Sequence, residues 1–264
     1  MNRFLKKQLV QNDSKILLIV LSGVGGIQSG PNLLTELQQA HKPKLNAIAR
    51  KACCGLMSAS PVGTAPDPID ALSGMLGYGD LKQPTKRPET ASQKTFVESF
   101  AKRYRMHGAL IADNPLVSRM ARLFDLACPK VSGDSDAWLH LASEQLKSFD
   151  FCLVYFDAIA KAARQGDYYD KVKTIEKIDS SLAALQDFSF DVLAISGDYS
   201  LPTTMAHPSW HPVPVMIQAS SVRNDAVQSF DELSCSHGGL GRISYDDLMV
   251  LLLAHALRLT PLHN

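Results

Sequence analysis

The stretch that most constrains the fold runs from Lys15 to Gly26 and reads KILLIVLSGVGG. Five aliphatic residues at 16–20, followed by Leu21 and then by small residues, are typical of a fully buried strand that leads into a tight turn. In an α/β sheet, ligands bind at the carboxyl ends of the strands. The side chain just past this strand, Ser22, is therefore expected to face whatever site the protein has.

The composition excludes several classes of partner. The chain has 264 residues, enough for one large or two small domains. Its 45% apolar and 20% charged content is ordinary for a globular protein, and its formal net charge of +1 gives no field that favours nucleic acid or an anionic membrane. No apolar run reaches the roughly 18 residues that cross a bilayer. We therefore predict neither a nucleic-acid partner nor a membrane partner.

The amino terminus and the cysteines bear on location. The first residues are basic, but the apolar run after them is short and lacks a cleavage site, which predicts that there is no signal peptide. The five cysteines are an odd number without zinc-type spacing: Cys53, Cys54, Cys128, Cys152 and Cys235. We expect reduced, mostly buried thiols and a cytoplasmic location.

Strand patterns alternate with helix patterns along the chain. Strands are predicted over 16–21, 109–112, 149–156, 191–196 and 213–217. Helices are predicted over 43–53, 71–76, 90–101, 115–126, 137–146, 172–185 and 244–257, with Gly55 ending the first of them and a surface linker at 81–88. This alternation favours an α/β sandwich around a largely parallel central sheet flanked by helices.

The glycines after the first strand do not form a nucleotide site. The loop reads Gly23-Val24-Gly25-Gly26, which lacks both the G-x-G-x-x-G and the G-K-[ST] spacing that phosphate-cradling loops need.

Several segments together resemble one family, the archaeal-type cofactor-independent phosphoglycerate mutases of the alkaline phosphatase superfamily. The matching pieces occur in family order: KILLIVLSGVGG, TELQQAHKPKLNAIARKACCGLM, LSGMLGYGD, GDYYDKVKTIEKID, DVLAISGDYSLPTTMAHPSWHPVPVMI and CSHGGLGRISYDDLM. The resemblance implies a single alkaline-phosphatase-like core domain over residues 1–264. It also implies that residues 79–108 are a short remnant in place of the family's inserted lid domain.

The resemblance implies two divalent metal ions, held by carboxylates and histidines, and a serine that is phosphorylated in transit. Manganese and zinc suit such ligands, and paired metals stabilise the attacking and leaving oxygens of phosphoryl transfer. The family's first metal-binding aspartate falls on Ser22, and the acidic residue four positions on falls on Gly26. The nucleophilic serine falls on or beside Pro68.

The remaining family ligands fall in the second half of the chain. An aspartate and a histidine fall on Ala160 and Arg164, the adjacent Asp-His pair on Asp198-Tyr199, and the last histidine on Pro208. Proline carries no hydroxyl to phosphorylate, alanine and glycine offer no ligand, and arginine stays protonated and repels a cation. Since only Asp198 is kept, we expect no cofactor, or manganese or zinc if a metal is bound.

Other residues leave alternatives open. Asp157, Asp198, His207 and His211 could rebuild a single-metal site, although Pro208, Pro212 and Pro214 make a helix that would align the two histidines unlikely. Asp67 and Asp70 could bind metal or be solvated loop carboxylates, and Ser22 could act as a nucleophile. Arg164 and Arg242 could bind a small anionic ligand. Trp138 and Trp210 are interpreted as packing residues.

These observations give two hypotheses. The first is a pseudoenzyme that resembles a metal-dependent phosphoglycerate mutase and acts as a binding, structural or regulatory protein, with a protein partner or as a homo-oligomer. The second is an enzyme with a rebuilt single-metal site that acts on a phosphate ester or another small anionic substrate.

Overall fold

The computed structural model describes residues 3–30, 32–60, 63–81 and 97–260. Its strands form one seven-stranded sheet in the order β3-β4-β1-β5-β6-β2-β7. The strands are Ile16–Leu21 (β1), Cys53–Ser58 (β2), Gly108–Ile111 (β3), Phe151–Phe156 (β4), Val192–Ser196 (β5), Val213–Ala219 (β6) and Gly241–Ser244 (β7).

The sheet is largely parallel, and β1 lies in its interior between β4 and β5. Leu18 pairs with Leu153 of β4 on one side and with Ala194 of β5 on the other, and both pairings are parallel. The β3–β4 and β2–β7 pairs are also parallel, whereas β6 is antiparallel to both of its neighbours. The carboxyl ends of β1, β4 and β5 therefore meet at one edge, and the predicted α/β fold class is confirmed.

Helices cover both faces of the sheet. They are Arg3–Gln8 (α1), Glu36–Gln39 (α2), Pro43–Ala49 (α3), Pro68–Met75 (α4), Phe100–Tyr104 (α5), Pro115–Leu123 (α6), Ser135–Ser148 (α7), Ala158–Arg164 (α8), Tyr168–Ser181 (α9), Glu232–Cys235 (α10) and Tyr245–His255 (α11), with a 3₁₀ helix at Leu182–Asp187. Among the described residues, no helix has the length and apolar character needed to cross a membrane.

The position of β1 between two layers of helices explains why its sequence is aliphatic throughout. Ile16, Leu18 and Val20 pack into the core beneath α4, α6 and α11, whereas Leu17, Ile19 and Leu21 pack into the core beneath α3, α7 and α9. Successive side chains of a strand point to opposite faces, so a strand with helices on both sides must be apolar at every position. The uninterrupted aliphatic run follows from this arrangement.

The sequence reading was wrong at Gly55. The predicted helix over 43–53 ends at Ala49, and Gly55 lies inside β2 instead of ending a helix. A Cβ at Gly55 would lie 2.5 Å from the carbonyl oxygen of Gly241, so glycine is needed where β7 approaches closely. The predicted linker at 81–88 and helix at 90–101 fall mostly outside the described residues.

Candidate functional site

The carboxyl ends of β1, β4 and β5 bring three polar side chains together. The hydroxyl groups of Ser22 and Tyr155 donate hydrogen bonds to Asp198 Oδ2, at 3.0 Å and 2.8 Å, and the two hydroxyl oxygens lie 2.7 Å apart. Ser22 directly follows β1, Tyr155 is the penultimate residue of β4, and Asp198 comes two residues after β5. Neighbouring parallel strands thus place all three groups at the edge where a ligand site is expected.

The Asp198 carboxylate has partners on both oxygens. Oδ1 accepts hydrogen bonds from the backbone N–H groups of Gly23 and Tyr199, at 3.1 Å and 2.9 Å. Oδ2 accepts the two hydroxyl hydrogen bonds described above. Because the residue is fully buried, its pKa is raised to about 6, and the hydrogen bonds from Tyr155, Gly23 and Ser22 oppose that shift. These four donors occupy the lone pairs that a metal ion would need.

Tyr199 connects this cluster to an arginine. Its hydroxyl lies 3.5 Å from Ser22 Oγ and accepts a hydrogen bond from Arg164 Nη2 at 3.0 Å. Burial and the charge of Asp198 raise the pKa of Tyr199, so this phenol stays protonated. We call Ser22, Tyr155, Asp198, Tyr199 and Arg164 the Asp198 network.

Apolar side chains fill the space beside the Asp198 network. Ala160 and Tyr199 belong to a small buried cluster with Ala59, Ala71, Ala163 and Leu201. A Cβ at Gly23 would lie 3.0 Å from Ala160 Cβ and 3.2 Å from Leu201 Cβ. Contacts this close leave no room for a coordination sphere around Ala160.

The carboxylate of Glu36 occupies the space beside Gly26. A side chain at position 26 would overlap Glu36 Oε2. Glu36 is fully buried, its Oε1 accepts hydrogen bonds from Thr203 N at 2.9 Å and Thr203 Oγ1 at 2.7 Å, and its Oε2 lies 3.4 Å from Lys171 Nζ. Lys171 also donates to the carbonyl oxygens of Gly25 and Leu201. Burial lowers the pKa of Lys171, and the neighbouring Glu36 opposes that shift.

Sequence reasoning missed Tyr155, Glu36 and Lys171. One signal was available for Lys171, because it lies on the apolar stripe of α9 beside Val172 and Ile175, where a charge must be paired. Tyr155 stands inside an apolar strand pattern, where its hydroxyl gives no signal of its own. Nothing local in the sequence distinguishes Glu36 from a solvated first-turn carboxylate.

Pro68 is the first residue of α4. Asp67 caps this helix by accepting hydrogen bonds from the backbone N–H groups of Ile69 and Asp70 at 2.9 Å and 3.1 Å. Proline suits the first helical position because its missing N–H would have no partner there. The position implied for the nucleophile is therefore a helix start whose side chain has no reactive group.

The residues considered for a rebuilt site have separate partners. Asp157 pairs with Lys161 at 2.8 Å and accepts a hydrogen bond from Asn114 at 3.2 Å. The Nδ1 atom of His207, an exposed residue, contacts the carbonyl oxygen of Pro208, and Nδ1 of His211 contacts Ser209 Oγ. No hydrogen bond or ion pair joins any of these three side chains to Asp198, all four residues lying in the described ranges.

Two of the remaining candidates are surface residues. Arg242 is exposed on β7, at the far edge of the sheet and three strands away from β5. Trp210, which the sequence suggests is a packing residue, is 40% exposed and stacks on His211. Trp138 does pack, against Phe156.

A comparison with protein families matches residues 14–255 to the Metalloenzyme superfamily. The chain belongs to the Metalloenzyme superfamily. This is the alkaline phosphatase superfamily, so the resemblance read from the sequence is confirmed. A Thermotoga relative, described as a probable 2,3-bisphosphoglycerate-independent phosphoglycerate mutase, is 32% identical over 160 residues. That match covers 61% of this chain and 40% of the relative.

Solved structures show the same fold. The PH0037 protein from Pyrococcus horikoshii superposes with a TM-score of 0.86 at 21% identity, covering 97% of this chain and 100% of that one. A cofactor-independent phosphoglycerate mutase from Thermoplasma acidophilum gives a TM-score of 0.68 at 19% identity, covering 92% and 100%. At such identities the likeness concerns the fold alone.

Membership of the Metalloenzyme superfamily corrects the expectation that the chain has no cofactor, because the family is one of metal-dependent enzymes. The residues at the place where the resemblance puts the metal ions do not fit a metal ion, however. Within the described ranges, no three His, Cys, Asp or Glu side chains are grouped so that they could hold one. Around Asp198 the neighbours are hydroxyl groups, alanines and a guanidinium, where a metal site needs several anionic or imidazole donors.

Proposed function

We propose that this chain keeps the fold of its superfamily without the phosphoglycerate mutase reaction, and that it acts by binding, as a structural or regulatory protein. The observation that supports this most strongly is the saturation of Asp198. Each of its two oxygens accepts two hydrogen bonds, and all four donors are protein groups. A carboxylate bound in this way completes a folded core, and stripping its donors would cost free energy.

The position implied for the nucleophile supports the same proposal. Transfer of a phosphoryl group through the enzyme needs a side-chain oxygen, nitrogen or sulfur that can be phosphorylated. Pro68 has none, and Asp67 beside it is engaged in capping α4. The serine hydroxyl of the Asp198 network, that of Ser22, has neither a histidine nor a lysine among its hydrogen-bond partners to activate it.

The positive charge of Arg164 also supports the proposal. Arg164 brings a permanent positive charge to Tyr199, whose hydroxyl lies 3.5 Å from Ser22 Oγ. A guanidinium at that place repels a divalent cation, whereas a metal site for phosphoryl transfer gathers negative ligands. The separate contacts of Asp157, His207 and His211 also favour this proposal over a rebuilt single-metal enzyme.

We extend the proposal to the cellular location of the protein and to its binding partners. All five cysteines are free thiols, which suits a reducing compartment, so we propose a cytoplasmic location. A protein partner or a second copy of the chain is the proposed binding target. Light scattering on the purified protein measures whether it forms a homo-oligomer, and co-purification of the tagged chain from its native extract tests for a protein partner.

An assay of phosphoglycerate mutase activity tests the proposal. The purified chain is incubated with 3-phosphoglycerate and with manganese, zinc or magnesium in turn, beside the Thermotoga relative as a positive control. The Asp198→Asn variant serves as the matched control. We expect wild-type turnover equal to that of the variant. Metal-dependent turnover, of phosphoglycerate or of p-nitrophenyl phosphate, that is lost in Asp198→Asn would overturn the proposal.

A further inference from the structure

A separate cavity of about 170 Å³ lies at the carboxyl ends of β3 and β4. The residues that matter for its chemistry are Asp113, Asp134, Trp138, Asp157, Lys161 and Lys177. No member of the Asp198 network lines this cavity, so its chemistry does not depend on the fate of the superfamily's metal site. We call it the Trp138 cavity.

One wall of the Trp138 cavity is aromatic. The ring of Trp138, on α7, is stacked on Phe156 at the end of β4, with centroids 5.5 Å apart and an angle of 12° between the planes. Both rings are among the lining residues. A rigid aromatic wall favours a flat ligand, and tryptophan is the aromatic side chain that attracts cations most strongly.

The charges of the Trp138 cavity favour a cation. Three aspartates, Asp113, Asp134 and Asp157, face two lysines, Lys161 and Lys177, which leaves an excess of one negative charge. Asp157 is the buried member, with its side chain 8% exposed. An incoming anion would have to approach this buried carboxylate, whereas a cation gains from it.

Lys161 now holds the place that a ligand cation would take. Its ammonium lies 2.8 Å from Asp157 Oδ1 and 3.3 Å from Asp113 Oδ2, but its side chain is 58% exposed. Ion pairs with so exposed a partner contribute little to stability, because water solvates the lysine almost as well. Lys161 can therefore move into solvent at small cost, while Asp157 stays where the backbone places it.

We propose that the Trp138 cavity binds a small planar organic cation, such as an aromatic amidinium or a protonated amino-heterocycle. The charged group replaces the Lys161 ammonium between Asp157 and Asp113, and the ring lies against Trp138. The cavity is smaller than the roughly 300–1,000 Å³ of sites for drug-sized ligands, so it suits a molecule of one ring or one fused pair.

Three probes of one shape and different charge test this proposal. Benzamidine is cationic, benzamide is neutral and benzoate is anionic. Binding is followed by the fluorescence of Trp138 in the Trp210→Phe background, where it is the only tryptophan, and by calorimetry. We expect saturable binding of benzamidine, at least tenfold weaker binding of benzamide, and no binding of benzoate. Absence of saturable benzamidine binding, or equal binding of all three probes, would overturn the proposal.

Substitutions of the ion pair give effects of opposite sign. Lys161→Met removes the competing ammonium and should tighten benzamidine binding severalfold. Asp157→Asn removes the buried charge and should weaken benzamidine binding at least tenfold. If Asp157→Asn fails to fold, Asp113→Asn, at an exposed position, removes the other carboxylate that would contact the ligand cation. Asp136→Asn, on the first turn of α7 but outside the cavity lining, should change nothing. If the lysine and aspartate variants shift affinity in the same direction, the proposal is wrong.

Discussion

The guanidinium of Arg164 donates a hydrogen bond to the hydroxyl of Tyr199 at 3.0 Å. Tyr199 is 1% exposed, whereas Arg164 lies on the surface at the end of α8. An arginine from the surface thus reaches the buried phenol beside Asp198. The region where the resemblance implies a metal site is in this way closed from outside by a fixed positive charge.

Removing the phenol hydroxyl should have a small effect. In Tyr199→Phe the Arg164 guanidinium returns to water, so we expect a loss of about 1 kcal/mol in the free energy of unfolding. Because one partner is exposed, the coupling between Tyr199→Phe and Arg164→Met should be below about 1 kcal/mol. Urea unfolding of the two single variants and the double variant measures it. A coupling above about 2 kcal/mol would mean that the hydrogen bond is far more shielded from water than its exposure indicates.

Asp198 should make stability depend on pH. Its pKa is raised by burial from 3.8 to about 6, so the folded protein binds the proton more tightly than the unfolded chain does. The stabilisation from this proton is complete below about pH 4 and is lost as the pH rises through about 6. The shift corresponds to a loss of up to about 3 kcal/mol.

The Asp198→Asn variant isolates this effect. An asparagine can accept from the two backbone N–H groups with its oxygen and donate to the hydroxyls of Ser22 and Tyr155 with its nitrogen. We therefore expect the unfolding free energy of the variant, relative to wild type, to rise between pH 4 and pH 7. Urea unfolding at each pH gives the difference, with the exposed Asp136→Asn as a control. A difference that stays constant would show that Asp198 does not titrate in this range.

An acidic residue at position 160 should lower the stability of the folded protein. Ala160 is 1% exposed within the small alanine cluster, so Ala160→Asp buries a carboxylate among methyl groups and should cost about 3–5 kcal/mol. Ala158→Asp on the same helix is the matched control, because that residue is exposed in the first turn, where a negative charge is neutral or slightly stabilising. Thermal unfolding measures both. Equal melting temperatures for the two variants would contradict the packing described around Ala160.

Substitutions of Lys171 and Glu36, which form a buried ion pair, should have strongly coupled effects on the free energy of unfolding. Lys171→Met leaves Glu36 buried without its counter-charge and should cost about 3–5 kcal/mol, whereas the exposed Lys173→Met on the same helix should cost less than about 0.5 kcal/mol. Adding Glu36→Gln to Lys171→Met should recover at least about 1 kcal/mol. Strict additivity in urea unfolding would argue against a direct interaction.

The strands that the sequence predicted are those whose environment is uniform. β1, β3, β4, β5 and β6 are buried through most of their length, so an apolar run alone identifies them. β2 was missed because Gly55 looks like a helix terminator when its neighbour β7 is unknown. β7 was missed because it is a short, mostly exposed edge strand with no alternation to detect.

The site was predictable only in part, for a different reason. Ser22 and Asp198 follow strong strands, and strand ends in a parallel sheet meet at one edge. The residues that decide what Asp198 can do are Tyr155 and Tyr199, and their roles depend on where a hydroxyl at the end of a long side chain lies. No local pattern in the sequence encodes that position.

The contact between Gly26 and Glu36 limits the order in which substitutions can accumulate. An acidic side chain at position 26 needs the volume that Glu36 Oε2 now fills, and Glu36 is fixed there by Thr203 and Lys171. Replacing Gly26 first creates a clash, while replacing Glu36 first removes the ion-pair partner of the buried Lys171. Each single step is unfavourable although the combined change need not be. Because of this epistasis, an acidic side chain at position 26 is not reached favourably by a single substitution.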